Sequence, residues 1–109
     1  MKDLTVLLKA LGDPTRLEIY RRLLERRHCV RSLSRSLGIT ESAVSQHLKI
    51  LREAGLVAGE KYGRHTHYLP CAETLTFLSG AFSDMRAAAD ALESTPGICR
   101  CAYRRKEEK

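Results

Sequence analysis

Residues 39–56 read ITESAVSQHLKILREAGL. Leu37-Gly38-Ile39 makes a turn, Thr40 suits the N-cap of a helix, and Glu41 suits the positive end of its dipole. Val44, Leu48 and Leu51 recur at helical spacing and share one apolar face. Gly55 closes the helix. The opposite face carries Ser42, Ser45, Gln46, Lys49 and Arg52, none of them acidic. Hydroxyls, an amide and cations in that arrangement suit a DNA major groove. There, amides and hydroxyls meet base edges and cations meet phosphates.

Upstream of this segment, Val30 to Leu37 reads as a short helix with Leu33 and Leu37 inward, ended by Gly38. The two helices joined through Gly38 have the layout of a helix-turn-helix. Leu4, Leu7, Leu8 and Leu11 mark a first amphipathic helix that stops at Gly12. Asp13-Pro14 starts the next one, with Asp13 as N-cap and Pro14 at the first position. Leu17, Tyr20, Leu23 and Leu24 form its apolar stripe, and it runs to about Arg27. Downstream, Leu56 to Tyr62 and His65 to Leu69 read as two strands around a Gly63-Arg64 turn, a hairpin wing ended by Pro70. A long helix follows from about Ala72 to Leu92. Leu75, Leu78, Ala81, Phe82, Met85, Ala89 and Leu92 hold its helical period.

The predicted fold is therefore mainly α with a small β-hairpin, a winged helix-turn-helix. Apolar residues on the first and last helices exceed what a small trihelical core covers, so a homodimer through those two helices is expected. Residues 1–93 are expected to form the DNA-binding and dimerisation domain. Residues 94–109, broken by Pro96 and Gly97, are expected to form a flexible tail.

A chain of 109 residues supports one domain with one modest core. Its formal charge of +6 favours an anionic partner. No secretory h-region and no bilayer-spanning apolar run is present, so a cytoplasmic protein without membrane association is expected. In that compartment the four cysteines are expected as thiols, metal ligands or redox groups rather than a disulfide framework.

The order of elements resembles the ArsR/SmtB family of bacterial winged-helix repressors. The residues that carry the resemblance are LGDPTRLEIYRRL (Leu11 to Leu23), AVSQHLK (Ala43 to Lys49), LREAGLV (Leu51 to Val57) and GRHTHY (Gly63 to Tyr68). The resemblance covers roughly residues 4 to 92. It implies a homodimer on double-stranded DNA at an imperfect palindrome, with reading helices about 34 Å apart. It also implies release by an effector, often a metal or metalloid ion. Ser42, Ser45, Gln46 and His47 match the base-facing part of the motif, with Lys49 and Arg52 close to phosphate. Arg64 and His65 at the wing tip would reach the flanking backbone or minor groove. Three alternatives stay open from the residues themselves, one of them that Lys49 and Arg52 form an ordinary solvated face. His47 could instead pack against a neighbouring helix, and His65 with His67 could form a two-histidine metal site.

Cys29 stands where family members with thiolate sites carry a Cys-Val-Cys segment, but here Arg31 replaces the second cysteine. Cys29 cannot build a metal site locally. Cys99-Arg100-Cys101 could complete it, because residues two apart in an extended tail point the same way. Three thiolates from Cys29, Cys99 and Cys101 suit As(III), Sb(III) or Pb(II), or Cd(II) with an added ligand. No cofactor is expected to be required for DNA binding itself. The family's zinc site on the final helix uses Asp and His. That helix has no histidine here, so zinc of that type is rejected. Cys71 is expected as a buried small hydrophobe.

The rival thiol mechanism is redox or persulfide sensing at Cys99 or Cys101. A third possibility is a repressor with no metal ligand. A thiol enzyme would need a substrate-cradling loop beside its nucleophile, and no Gly-rich loop flanks any cysteine, so no enzyme activity is expected. A winged helix that binds proteins rather than DNA would usually present an apolar or acidic reading face, unlike the one here.

Overall fold

The computed structural model describes residues 3–95 and 97. Five helices and one hairpin follow in the order α1 (Leu4–Leu11), α2 (Pro14–Glu25), α3 (Val30–Leu37), α4 (Glu41–Glu53), β1 (Val57–Tyr62), β2 (His65–Pro70) and α5 (Ala72–Ser94). The observed architecture is the winged helix-turn-helix expected from the sequence.

Local chemistry sets most of these boundaries. The Asp3 side chain accepts from the Thr5 N–H at 2.9 Å, and Asp13 accepts from the Arg16 N–H at 3.0 Å, so each caps its helix. Thr40 Oγ1 caps α4 by accepting from the Ala43 N–H at 3.1 Å. Gly38 ends α3 at φ 69, a left-handed conformation that a side chain would strain. α4 ends in paired bonds from the Gly55 N–H to the Arg52 carbonyl and from the Leu56 N–H to the Leu51 carbonyl. Gly55, at φ 84, is the residue that permits this Schellman closure.

Packing divides the chain after Ser79. In the unit up to Ser79, every helix contributes to one core: Leu7 and Ala10 of α1, Ile19, Tyr20 and Leu23 of α2, Leu33 of α3, Val44, Leu48 and Leu51 of α4, and Leu78 of α5. Leu56 and Val57 add the start of the hairpin. The stripe of α2 differs from the expected one. Ile19 is fully buried and Leu24 is 52% exposed, and the helix stops at Glu25 rather than about Arg27. Tyr20 and Leu23 of the expected stripe are buried, Leu24 gives way to Ile19, and the neighbours of α2 decide the direction of the stripe. In the other unit, the α5 residues from Gly80 onward expose Phe82, Met85 and Leu92.

The hairpin is antiparallel and pairs Val57 with Pro70 through Tyr62 with His65, leaving Gly63-Arg64 as a two-residue turn. Gly63 has φ 60, as the first central position of a II′ turn demands. A bridge joins β2 to the segment before α3. The Tyr68 N–H donates to the His28 carbonyl at 2.8 Å, and the His28 N–H donates to the Tyr68 carbonyl at 3.4 Å. The wing is thereby tied to the start of the helix-turn-helix.

Candidate DNA-reading surface and thiol site

The buried stripe of α4 leaves the rest of the helix to solvent. Ser42, Ser45, Gln46, Lys49 and Arg52 are all exposed on it. Glu41, at the first position, is also exposed and stands 3.8 Å from Arg31 of α3. The pair is an outer-surface contact of little energetic weight, but it screens the one carboxylate at this end of the helix. Arg64 and His65 are exposed at the wing tip. The structure therefore brings the amide, hydroxyl and cationic groups of α4 to one uncovered face, with two further cationic or titratable groups on the hairpin.

His47 is placed differently from those five. It is half-buried, and its Nδ1 lies 3.4 Å from Nη1 of Arg16. Arg16 also donates from Nε to the Ala10 carbonyl at 2.8 Å. The side chain of His47 thus packs toward α2, along the edge of the reading face. His67 is half-buried, and its ring lies 4.7 Å from that of Tyr62, tilted by 30°. His65 instead lines an open cleft with Cys29, Arg31, Glu41 and Arg64.

Cys29 is half-buried and serves as the N-cap of α3, its Sγ accepting from the Ser32 N–H at 3.5 Å. Its thiol sits at the positive end of a helix and faces the wing across that cleft. Cys99 and Cys101 lie outside the described residues, so the structure positions one thiol of the expected three. Among the described residues no three His, Cys, Asp or Glu side chains converge on a metal position. Cys71 is half-buried rather than fully buried, and its N–H donates to the Leu56 carbonyl at 2.9 Å.

Reasoning from the sequence passed over His28. Only 5% of it is exposed, and its Nδ1 lies 2.7 Å from Ser32 Oγ. Burial lowers its pKa below the ordinary histidine value, and the Arg26 and Arg22 guanidiniums lower it further, against a smaller opposite pull from Glu25. No spacing rule marks it, because its partners Tyr68 and Ser32 come from the wing and from α3.

Residues 13–58 match the family model described as bacterial regulatory protein, arsR family. The HTH-type transcriptional repressor SmtB of Mycobacterium tuberculosis is 47% identical over 62 residues, which is 57% of this chain and 46% of that protein. The chain thus matches about half the length of that relative. The arsenical resistance operon repressor of Bacillus subtilis is 43% identical, over 55% of this chain and 58% of that protein. An ArsR-like transcriptional regulator from Rhodococcus sp. RHA1 superposes with a TM-score of 0.68 at 30% identity, covering 86% of this chain and 94% of the other. No helix among the described residues is long and apolar enough to cross a membrane. Helix-turn-helix, wing and the likeness to regulators along almost the whole of a solved chain agree that this protein belongs to the ArsR/SmtB family of transcriptional regulators.

Proposed function

We propose that the protein is a homodimeric, DNA-binding transcriptional repressor, released from its operator when a soft metal or metalloid ion binds cysteine thiolates. The observation that carries the DNA reading is the uncovered face of α4, where Ser42, Ser45, Gln46, Lys49 and Arg52 stand exposed above a fully buried Val44, Leu48 and Leu51. Relatives named as repressors, one of them of an arsenical resistance operon, support it. In this reading Gln46 and the serines meet base edges, while Lys49, Arg52 and the wing-tip Arg64 and His65 meet phosphate.

The effector arm rests on Cys29. It caps α3, and α3 packs on the reading helix, so a ligand held at Cys29 acts one helix away from the DNA. Cys99 and Cys101 of the C-terminal segment supply the other two thiolates for As(III), Sb(III), Cd(II) or Pb(II). The ion favours the low-affinity arrangement by about 1–3 kcal/mol, the usual coupling between two sites.

The test is fluorescence anisotropy of the reduced protein on DNA from just upstream of its own gene. Lys49→Ala should weaken binding to all sequences and reduce the salt slope by about one, while Gln46→Ala should relax specificity by about 1–3 kcal/mol. Wild-type affinity and specificity in both variants would remove α4 as the reading helix. Arsenite, cadmium or lead should release the DNA at one ion per subunit, and Cys29→Ser should abolish that release. DNA binding that no ion disturbs would overturn the metal arm and turn the search to peroxide and persulfide.

A further inference from the structure

Residues 21 to 35 hold six arginines, and only Arg31 meets α4, through its exposed pair with Glu41 at 3.8 Å. The fold gathers three, Arg26, Arg31 and Arg35, around one open cleft between the end of α2 and the outer face of α3. The hydroxyls of Ser32 and Ser36 and the edge of His28 line the same cleft, and none of its lining residues is acidic. Arg22 reaches it from α2, its Nη1 donating to Ser36 Oγ. Two others in the run are paired: Arg22 Nε with Glu18 and Arg27 Nε with Glu60, each at 3.1 Å. Arg26 and Arg35 have no ion-pair partner among the described residues.

Like charges gathered in one concavity repel one another, and the fold obtains no packing in return from side chains this exposed. An anion changes the sign of that balance. Planar guanidinium forks and serine hydroxyls are the donors that a tetrahedral oxyanion accepts from best. The positive potential is already felt within the protein, where Arg26 and Arg22 act on the buried His28.

We propose that the Arg26–Arg31–Arg35 cleft is a binding site for a phosphate-type oxyanion, and that the phosphate is one in the DNA backbone flanking the half-site. The source follows from place. Arg31 also lines the adjoining cleft with Arg64 and Glu41, the wing tip and the first residue of α4. The basic surface therefore runs on from the reading face, and the first helix of a helix-turn-helix crosses the backbone. The choice of DNA as source rests on the proposed DNA reading; the oxyanion site does not.

The experiment pairs two probes on wild type and on the Arg26→Ala/Arg35→Ala variant. Both replaced side chains are exposed, and circular dichroism checks that the variant folds. The first probe is DNA, as a duplex with long flanks and as one trimmed to the half-sites, titrated across a salt series. The variant should lose affinity on the long duplex, with its salt slope reduced by about one per lost phosphate contact, and change little on the trimmed one. The second probe is inorganic phosphate, read as thermal stabilisation that wild type shows and the variant lacks. A phosphate effect without a DNA effect keeps the site and overturns its backbone source, leaving a free phosphate ester as ligand. If wild type binds no DNA while phosphate still separates the two proteins, the reading function falls and the site stands. A variant equal to wild type in both arms overturns the site, whatever the DNA affinity of either.

Discussion

At the scale of single residues, the GDPTR segment joins three elements through two side chains. Asp13 caps α2, and the hydrogen bond from the Arg16 N–H holds its carboxyl below the usual carboxylate range. Arg16 then reaches back to the Ala10 carbonyl at the end of α1 and across to His47 on α4. Arg16→Met keeps the aliphatic stem but leaves that carbonyl without its donor. We expect a loss of about 1–2 kcal/mol in chemical denaturation, and weaker DNA binding although Arg16 is off the reading face. Unchanged stability and binding would show that the contact positions nothing. His28 supplies a pH test. Its folded pKa lies below the ordinary histidine value of 6.5, so the unfolded chain takes up the proton first as pH falls. Its contribution is complete above about 6.5 and declines below that until the folded pKa is reached. The melting temperature of wild type should fall between pH 7 and 5, and His28→Gln should flatten that slope. Asp13 does not confound the window, since its lowered pKa places its own loss below 3.8. Tyr20 is a different case, a phenol in the core whose Oη has no protein partner among the described residues. Burial raises its pKa and keeps it neutral. Tyr20→Phe should therefore change stability by less than about 1 kcal/mol, because no protein hydrogen bond is removed.

At the scale of elements, the helix-turn-helix depends on a backbone conformation and a cap. A Cβ at Gly38 would meet nothing within 4 Å, so any cost of Gly38→Ala comes from its positive φ alone. That cost is about 1–2 kcal/mol, and Gly38→Asn should cost less, because asparagine tolerates the left-handed region. Equal losses for the two would mean that the turn is limited by something other than φ. Thr40→Ala removes the cap of α4 and should cost about 1 kcal/mol. The wing is limited by space instead. A Cβ at Gly59 would stand 2.9 Å from Thr66 Cγ2 and 3.3 Å from Tyr68 Cε1. Gly59→Ala should push the Tyr68 ring away and loosen the bridge to His28, seen as faster amide exchange at Tyr68 and His28 than in wild type.

At the scale of the whole molecule, α5 poses the largest unsolved burial problem. Phe82, Met85 and Leu92 are 47%, 51% and 70% exposed, and Phe77 nearer the start of the helix is 39% exposed. Val6 and Leu8 of α1 are exposed as well. Apolar rows of that kind on a regular helix call for a covering partner, and a second copy of the chain is the proposed one. Phe82→Glu/Met85→Glu should sediment as a monomer and lose most of its affinity for a palindromic site. A variant that still sediments with wild type would move the interface elsewhere.

The helix starts, the turn at Gly38 and the two-residue hairpin were legible from the sequence alone. Caps, glycines and apolar periods act within a few residues, and each leaves its mark where it acts. The exposed face of α4 was legible for the same reason, as the complement of a strict Val44, Leu48 and Leu51 stripe. What lay beyond the sequence depends on residues far apart along the chain. The burial of His28 needs Tyr68, the inward turn of His47 needs Arg16, and the exchange of Leu24 for Ile19 in the core needs the neighbours of α2. The arginine cleft also arose only when α2 and α3 met. Spacing rules describe one helix at a time, whereas burial and charge clustering are set by which helices pack together, and the tertiary structure alone decides that.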